Sequence, residues 1–230
     1  MQIHFCAVLF PLSVLHFPLI IMPHGKRIAE LLIDIGAVKL SIDPPFTWSS
    51  GIKSPIYCDN RMMLSHPDAR GIVVDALVSR VKALHIEPDL IAGEGGAIPW
   101  ATLVADRLGL PLVYLRKKAK EHGLQKRIEG DLPKDKDVVV IEDLISTGGS
   151  SINTVNAIRE EGGANVSDVV AIFTYEKAES LEKAAETGIA FHPVANFTTL
   201  LDVAVEQGRL TKDEVATVVE FMKNPQNWNA

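Results

Sequence analysis

The residues best suited to chemistry lie between 138 and 151, where Val138-Val139-Val140-Ile141 runs into Glu142-Asp143-Leu144-Ile145-Ser146-Thr147-Gly148-Gly149-Ser150-Ser151. A continuously apolar run of this kind reads as a strand covered on both faces, as in a parallel sheet. In such sheets ligands sit at the carboxyl ends of the strands. Successive backbone N–H groups after the strand, with the N-terminus of the helix that follows, make a concave anion site. Gly148 and Gly149 let the backbone approach a phosphate closely, and the hydroxyls of Ser146, Thr147, Ser150 and Ser151 add donors. Glu142 and Asp143 would repel a phosphate, so they suit vicinal hydroxyls, or a metal bridging hydroxyls, beside it. An acid pair followed by a phosphate nest describes a seat for a ribose 5-phosphate. The plainer alternative is a strand-to-helix turn with an Asp or Ser N-cap, which needs one such side chain and not two acids and four hydroxyls. No Gly-Lys-Ser/Thr follows the strand, and the glycine spacing is not that of a dinucleotide fingerprint.

Three further segments carry suitable groups. Residues 116–127 include Arg116, Lys117, Lys118, Lys120, His122, Lys126 and Arg127 against the single acid Glu121, a local charge near +5 in a chain of −6. Such a run is ordinarily a solvated loop, but it follows the apolar residues Leu112–Leu115 and would share a rim with the phosphate seat, where it suits a diphosphate. Gly93-Glu94-Gly95-Gly96-Ala97 is a second glycine loop after a strand, a weak signal alone. Residues 46–61 gather Phe46, Trp48, Lys53, Tyr57, Cys58, Asn60 and Arg61. That stretch is either a loop packed on the core or a flap covering a flat heterocycle.

The elements that would hold these groups alternate. Helical spacing predicts helices over 24–36, with Gly36 as the stop, and over 67–84. Short apolar runs predict strands at Ile56–Cys58, 89–92, Leu112–Leu115, 138–141, 169–173 and 189–197. Helices are expected over 99–108, 152–161, 177–187, 199–206 and 212–223, the last opened by a capping box of Thr211 and Glu214. Residues 93–97, 117–131 and 142–150 read as loops. Strands alternating with helices argue an α/β fold with a mainly parallel sheet flanked by helices.

Composition bounds the rest. The chain has 230 residues, 47% hydrophobic, enough for one sizeable core and too apolar for disorder. Net charge of −6 argues against a nucleic-acid partner. Two cysteines, Cys6 and Cys58, exclude a disulfide framework and fit a reducing, cytoplasmic setting without a membrane partner. Residues 1–22 carry no Lys, Arg, Asp or Glu and contain Pro11 and Pro18. They lack the basic flank of a signal peptide and the unbroken length of a membrane span. A packed strand or helix is one reading of them; an upstream start assignment, with translation beginning at Met22, is the simplest. One domain over 23–230 is expected.

The acid pair with Ser146-Thr147-Gly148-Gly149 resembles the diphosphoribose-binding loop of the type I phosphoribosyltransferases. Together with residues 46–61 and Arg116-Lys117-x-x-Lys120-x-His122-Gly123, it resembles the orotate phosphoribosyltransferase family over about residues 24–230. The resemblance implies the type I fold with a small N-terminal hood. It implies phosphoribosyl transfer from phosphoribosyl diphosphate to orotate, giving orotidine monophosphate and diphosphate in pyrimidine synthesis. By the same resemblance Mg²⁺ is carried mainly by substrate, with Glu142 and Asp143 nearby and no dedicated metal site. Glu142 and Asp143 would hold the ribose hydroxyls, and Leu144, Ile145, Ser146, Thr147, Gly148, Gly149 and Ser150 would line the phosphoribosyl seat. Arg116, Lys117, Lys120 and His122 would hold the diphosphate. Lys117, Lys120 and Asp143 would be the catalytic groups, and Ser146, Lys53, Tyr57 and Cys58 would meet orotate. The basic loop would reach into a neighbouring subunit, implying a homodimer with shared sites.

Two positions depart from the pattern: Ser49 stands where many relatives have a lysine, and Phe173-Thr174-Tyr175-Glu176-Lys177 contains no arginine for the orotate carboxylate. Flap backbone donors, Lys53 or Arg61 are the alternatives for that carboxylate. Rival readings are a phosphoribosyltransferase for another base and a non-catalytic regulator on the same fold.

Overall fold

The computed structural model describes residues 24–47, 53–116, 127–223, 225 and 228. The chain opens with helix α1 (Gly25–Asp34), which buries Ile28, Leu31 and Leu32 along one face. Four short strands follow: β1 (Val38–Leu40), β2 (Phe46–Thr47), β3 (Lys53–Ser54) and β4 (Ile56–Cys58). They pair antiparallel as β1–β4 and β2–β3 and form a hood outside the main sheet. A 3₁₀ turn (Asn60–Ser65) leads into α2 (Pro67–Lys82).

The α/β alternation then begins, with β5 (Leu90–Glu94), α3 (Ile98–Leu108), β6 (Leu112–Leu115), β7 (Ile128–Glu129) and β8 (Asp137–Ile145). It continues through α4 (Gly149–Gly162), β9 (Asn165–Thr174), α5 (Ala178–Thr187) and β10 (Ala190–Asn196). Helices α6 (Phe197–Glu206) and α7 (Lys212–Lys223) close the fold. The Thr211–Glu214 capping box forms as predicted: the Thr211 N–H donates to Glu214 Oε2 at 2.7 Å, and the Glu214 N–H donates to Thr211 Oγ1 at 3.3 Å.

The main sheet has six strands in the order β10-β9-β8-β5-β6-β7, all parallel except the β7 edge. Both faces are covered. Val139, Ile141, Val170, Ile172 and Val194 pack into a core with α1, α2, α3 and α6. Their alternates Val138, Val140, Val169 and Ala171 pack under α4 and α5. Burial on both faces is why these strands read as unbroken apolar runs.

Strand order fixes the place of the site. From β5 the chain steps outward to β6 and β7, then returns to lay β8 on the other side of β5 and proceeds to β9 and β10. The order reverses between β5 and β8, and a crevice outside the carboxyl ends of a parallel sheet opens at such a switch point. The carboxyl end of β5 carries Glu94-Gly95-Gly96, and that of β8 carries Glu142 through Ser150.

The structure corrects four element boundaries. β8 does not stop at Ile141, because β9 continues alongside it and pairs Glu142↔Ala171, Leu144↔Phe173 and Ile145↔Thr174. The acids thus sit on a strand and not in a loop. Gly93 and Glu94 are the last residues of β5, leaving only Gly95–Ala97 as a turn. Residues 128–129 leave the expected long loop to pair antiparallel with β6, Tyr114↔Glu129 and Leu115↔Ile128, a strand too short to show a period. Helix α4 starts at Gly149, since Gly148 at φ 78° serves as its N-cap.

Candidate active site

Alternation along a strand turns Glu142 toward α4 and Asp143 toward the glycine loop, with the two carboxyls still close to each other. Glu142 is buried. Its Oε1 accepts from the Asp143 N–H at 2.9 Å, and its Oε2 accepts from Ser151 Oγ at 3.0 Å. Burial, and then the neighbouring Asp143 carboxylate, push the Glu142 carboxyl well above the usual carboxylate range. Asp143 is half-buried and stands over Gly96, where an added Cβ would lie 2.5 Å from Asp143 Oδ2. The backbone of the glycine loop comes this close because Gly96 has no side chain. Of the predicted pair, Asp143 is the open acid and Glu142 braces the start of α4.

The turn after β8 is free of side-chain capping. No side chain caps Gly148, and its carbonyl accepts from the Ile152 N–H at 3.0 Å. The first-turn N–H groups of α4 have no partner within the helix. The hydroxyls of Ser146, Thr147 and Ser150 border them, Ser146 and Thr147 half-buried and Ser150 exposed. This disposes of the ordinary side-chain N-cap. A helix start with spare N–H groups, ringed by hydroxyls, favours an anion.

The rim of β5 and β6 holds a charged cluster that sequence reading missed. Glu94 Oε1 accepts from Arg127 Nη2 at 3.1 Å, and its Oε2 accepts from Thr154 Oγ1 at 2.7 Å. The Arg127 backbone carbonyl accepts from the Arg116 N–H at 3.0 Å, and Arg127 Nε donates to the Arg116 carbonyl at 3.2 Å. Arg116 pairs through Nε with Glu129 at 2.8 Å. Arg116 therefore stands on the same rim as the α4 N-terminus, and both ends of the basic segment are anchored there. Lys117, Lys120 and His122 lie outside the described residues. The signal for Glu94 was its place between Gly93 and Gly95 at a strand end.

The hood supplies the remaining groups. Tyr57 is exposed, with its ring 6.2 Å from that of Phe46. Lys53 Nζ donates to Thr47 Oγ1 at 2.8 Å. Arg61 is held by Asp59 through Nε at 2.6 Å and Nη2 at 2.8 Å. That bond, outweighing the opposite effect of burial, holds the Asp59 carboxyl below its usual range. Arg61 also lies against Gly96 and within the field of Asp143 and Tyr57. The Cys58 sulfur is not presented to the crevice: it donates to Asn60 Oδ1 at 3.2 Å and contacts the Tyr175 hydroxyl. Burial, with Asp143 and Asp59 next, pushes the thiol up to about 12, so it is no nucleophile.

After β9, Tyr175 is buried edge-on to Phe173 at 5.4 Å. Glu176 Oε2 accepts from the Thr198 N–H at 2.8 Å and Oγ1 at 2.6 Å, closing the α6 N-terminus. A groove of about 740 Å³ lies behind Tyr175, lined by Ala178, Phe197, Leu201, Val219 and Met222, and includes none of the candidate site residues.

Comparison with known proteins agrees with this geometry. The phosphoribosyl transferase domain model matches residues 62–197. An orotate phosphoribosyltransferase of Listeria monocytogenes is 47% identical over 204 residues, covering 88% of this chain and 97% of that protein. The crystal structure of orotate phosphoribosyltransferase from Aeropyrum pernix superposes with a TM-score of 0.68 at 29% identity, over 80% of this chain and 99% of that one. The structure of Leishmania donovani UMP synthase gives 0.73 at 28% identity, over 86% of this chain and 42% of that one. A switch-point crevice with one open acid beside an uncapped helix start, in a chain with these relatives, belongs to the orotate branch of the phosphoribosyltransferase family.

Proposed function

We propose that the chain transfers the 5-phosphoribosyl group of phosphoribosyl diphosphate to orotate, giving orotidine monophosphate and diphosphate for pyrimidine nucleotide synthesis. The observation that carries this reading is the pairing, at the β5/β8 switch point, of Asp143 with the uncapped N-terminus of α4. Asp143 accepts from a ribose hydroxyl. The first-turn N–H groups of α4, with Ser146, Thr147 and Ser150, take the 5-phosphate. Arg116, with Lys117, Lys120 and His122, takes the diphosphate.

In the reaction a bond forms between a ring nitrogen of orotate and the anomeric carbon. The bond from that carbon to the diphosphate oxygen breaks, its electron pair leaves with the diphosphate, and the ring N–H proton passes to water or to the departing diphosphate. Positive charge grows on the ribose, as in glycoside hydrolysis. The chain's contribution is positioning and charge stabilisation. Asp143 fixes the ribose, and the basic rim stabilises the leaving group. The hood, with Tyr57 exposed, would cover the flat base, and flap backbone donors, Lys53 or Arg61 would meet its carboxylate.

Among the described residues no three His, Cys, Asp or Glu side chains converge as a metal cage. One open carboxylate, Asp143, beside a diphosphate position would suit a Mg²⁺ held largely by substrate phosphates. Asp143 would contact such an ion, whose chemistry is to neutralise the leaving diphosphate. A homodimer with shared sites and a cytoplasmic location complete the reading. No described helix is long and apolar enough to cross a membrane.

The test is the absorbance change of orotate with phosphoribosyl diphosphate and Mg²⁺, using protein begun at Met22. Turnover that needs all three components is expected. Turnover with hypoxanthine, adenine or uracil in place of orotate would reassign the base. Ligand binding without turnover on any base would favour a regulator.

A further inference from the structure

We infer that Asn60 is a positioning residue for Asp143, and that Cys58 sets which way its amide points. The inference rests on the reading of Asp143 as the open ribose-binding acid. Asn60 is buried at the start of the 3₁₀ turn, outside the six-stranded sheet. Its Nδ2 donates to the Asp143 carbonyl at 2.6 Å, across 83 residues of chain. The β5 ladder pairs β8 only as far as Ile141, so β8 runs on to Asp143 beyond that pairing. Asn60 supplies a donor there. The Asp143 carbonyl belongs to the peptide plane that joins it to Leu144. A bond to that oxygen therefore orients the strand end from which the Asp143 side chain projects.

An asparagine amide has a donor end and an acceptor end. Reversed, it would set Oδ1 against the Asp143 carbonyl, two acceptors at contact distance. The Cys58 thiol decides the direction by donating to Oδ1 at 3.2 Å. It can do so only while it keeps its proton, and its surroundings hold that proton firmly. The Tyr175 hydroxyl lies beside the Cys58 sulfur. Its ring is packed near Phe173 and Phe197, with centroids at 5.4 and 5.9 Å. The Tyr175 N–H donates to the Ile145 carbonyl at 3.0 Å, which ties the residue beside Cys58 to the end of β8. Polarity is consistent along the two bonds: thiol to amide oxygen, amide N–H to carbonyl. The hood and the acid-bearing strand are thereby locked in one orientation.

Three variants test this in the full chain: N60A, C58S and C58V. Serine keeps a donor at position 58, whereas valine has similar bulk and none. Hydrogen exchange at the Leu144 amide, without substrate, reads the peptide plane. Calorimetry with phosphoribosyl diphosphate and Mg²⁺ reads the seat. We expect C58V to exchange Leu144 faster than C58S and to bind about fivefold more weakly, with N60A about tenfold weaker than wild type, each the size of a lost hydrogen bond. A packing role for Cys58 gives the reverse order, because valine suits an apolar site better than serine. C58V equal to or better than C58S in both readouts overturns the inference. Wild-type protein that does not bind phosphoribosyl diphosphate would overturn the reading of the site instead, and Leu144 exchange would then judge the positioning alone.

Discussion

Gly96 and Asp143 show how little room the site leaves at single residues. A methyl at position 96 would stand 2.5 Å from Asp143 Oδ2 and 3.6 Å from Arg61 Cδ, so the acid would have to move. Gly96→Ala should raise the KM for phosphoribosyl diphosphate about 10- to 100-fold, as a displacement near 1 Å does, with circular dichroism and melting little changed. Steady-state kinetics with orotate saturating would check it. Glu142 makes a prediction of a different kind. Its carboxyl is raised in the folded protein by burial and then by Asp143. The folded state holds that proton more tightly than the unfolded chain, so the stabilising contribution is complete below the ordinary carboxyl value and falls as pH rises through the folded one. Glu142→Gln keeps an acceptor for Ser151 and removes the titration. Its melting temperature relative to wild type should therefore climb as pH rises from the ordinary carboxyl value. A difference independent of pH would show that Glu142 is ionised throughout.

Single elements carry separable effects. Helix α7 begins at a reciprocal cap between Thr211 and Glu214 and is remote from the acids of β8. Thr211→Ala should cost about 1 kcal/mol and lower the melting temperature by about 2–4 °C, with kcat and KM unchanged; thermal melts beside a rate assay decide it. This cap was legible in the sequence because both partners lie within one helical turn. So were most helices and strands, since the apolar period that marks them is local. The end of β8 was not legible. Glu142 to Ile145 looks like a polar turn, and only the pairing with Ala171, Phe173 and Thr174 holds it extended. The two residues of β7 were equally hidden, because their strand character comes from β6 beside them.

At the scale of the whole molecule the question is whether one chain makes a complete site. The basic segment is anchored at Arg116 and Arg127 on the rim of its own sheet, and the proposed dimer with shared sites can be tested by complementation. Lys120→Ala should lower turnover at least about 100-fold, in the range of one lost preorganised charge. Asp143→Asn should also be severely impaired. If sites are shared across a two-fold dimer, mixing the two inactive variants and allowing subunit exchange rebuilds one native site in each mixed dimer, and activity recovers to roughly a quarter of wild type. Sites complete within one chain predict no recovery.

The sequence by itself determined the kind of seat: an acid pair, a hydroxyl-rich glycine turn and a helix in immediate succession, on a chain whose apolar periods demand alternating strands and helices. Those properties are local, so neighbouring residues suffice to state them. The tertiary structure alone decided which acid faces the crevice, through the alternation of a strand that β9 prolongs. It alone brought Glu94 to Arg127 and Thr154, and Asn60 to Asp143 over 83 residues. No period in a sequence encodes such meetings. They follow from register and from the packing of hood against sheet, where a buried polar group must find its partner wherever the fold places one.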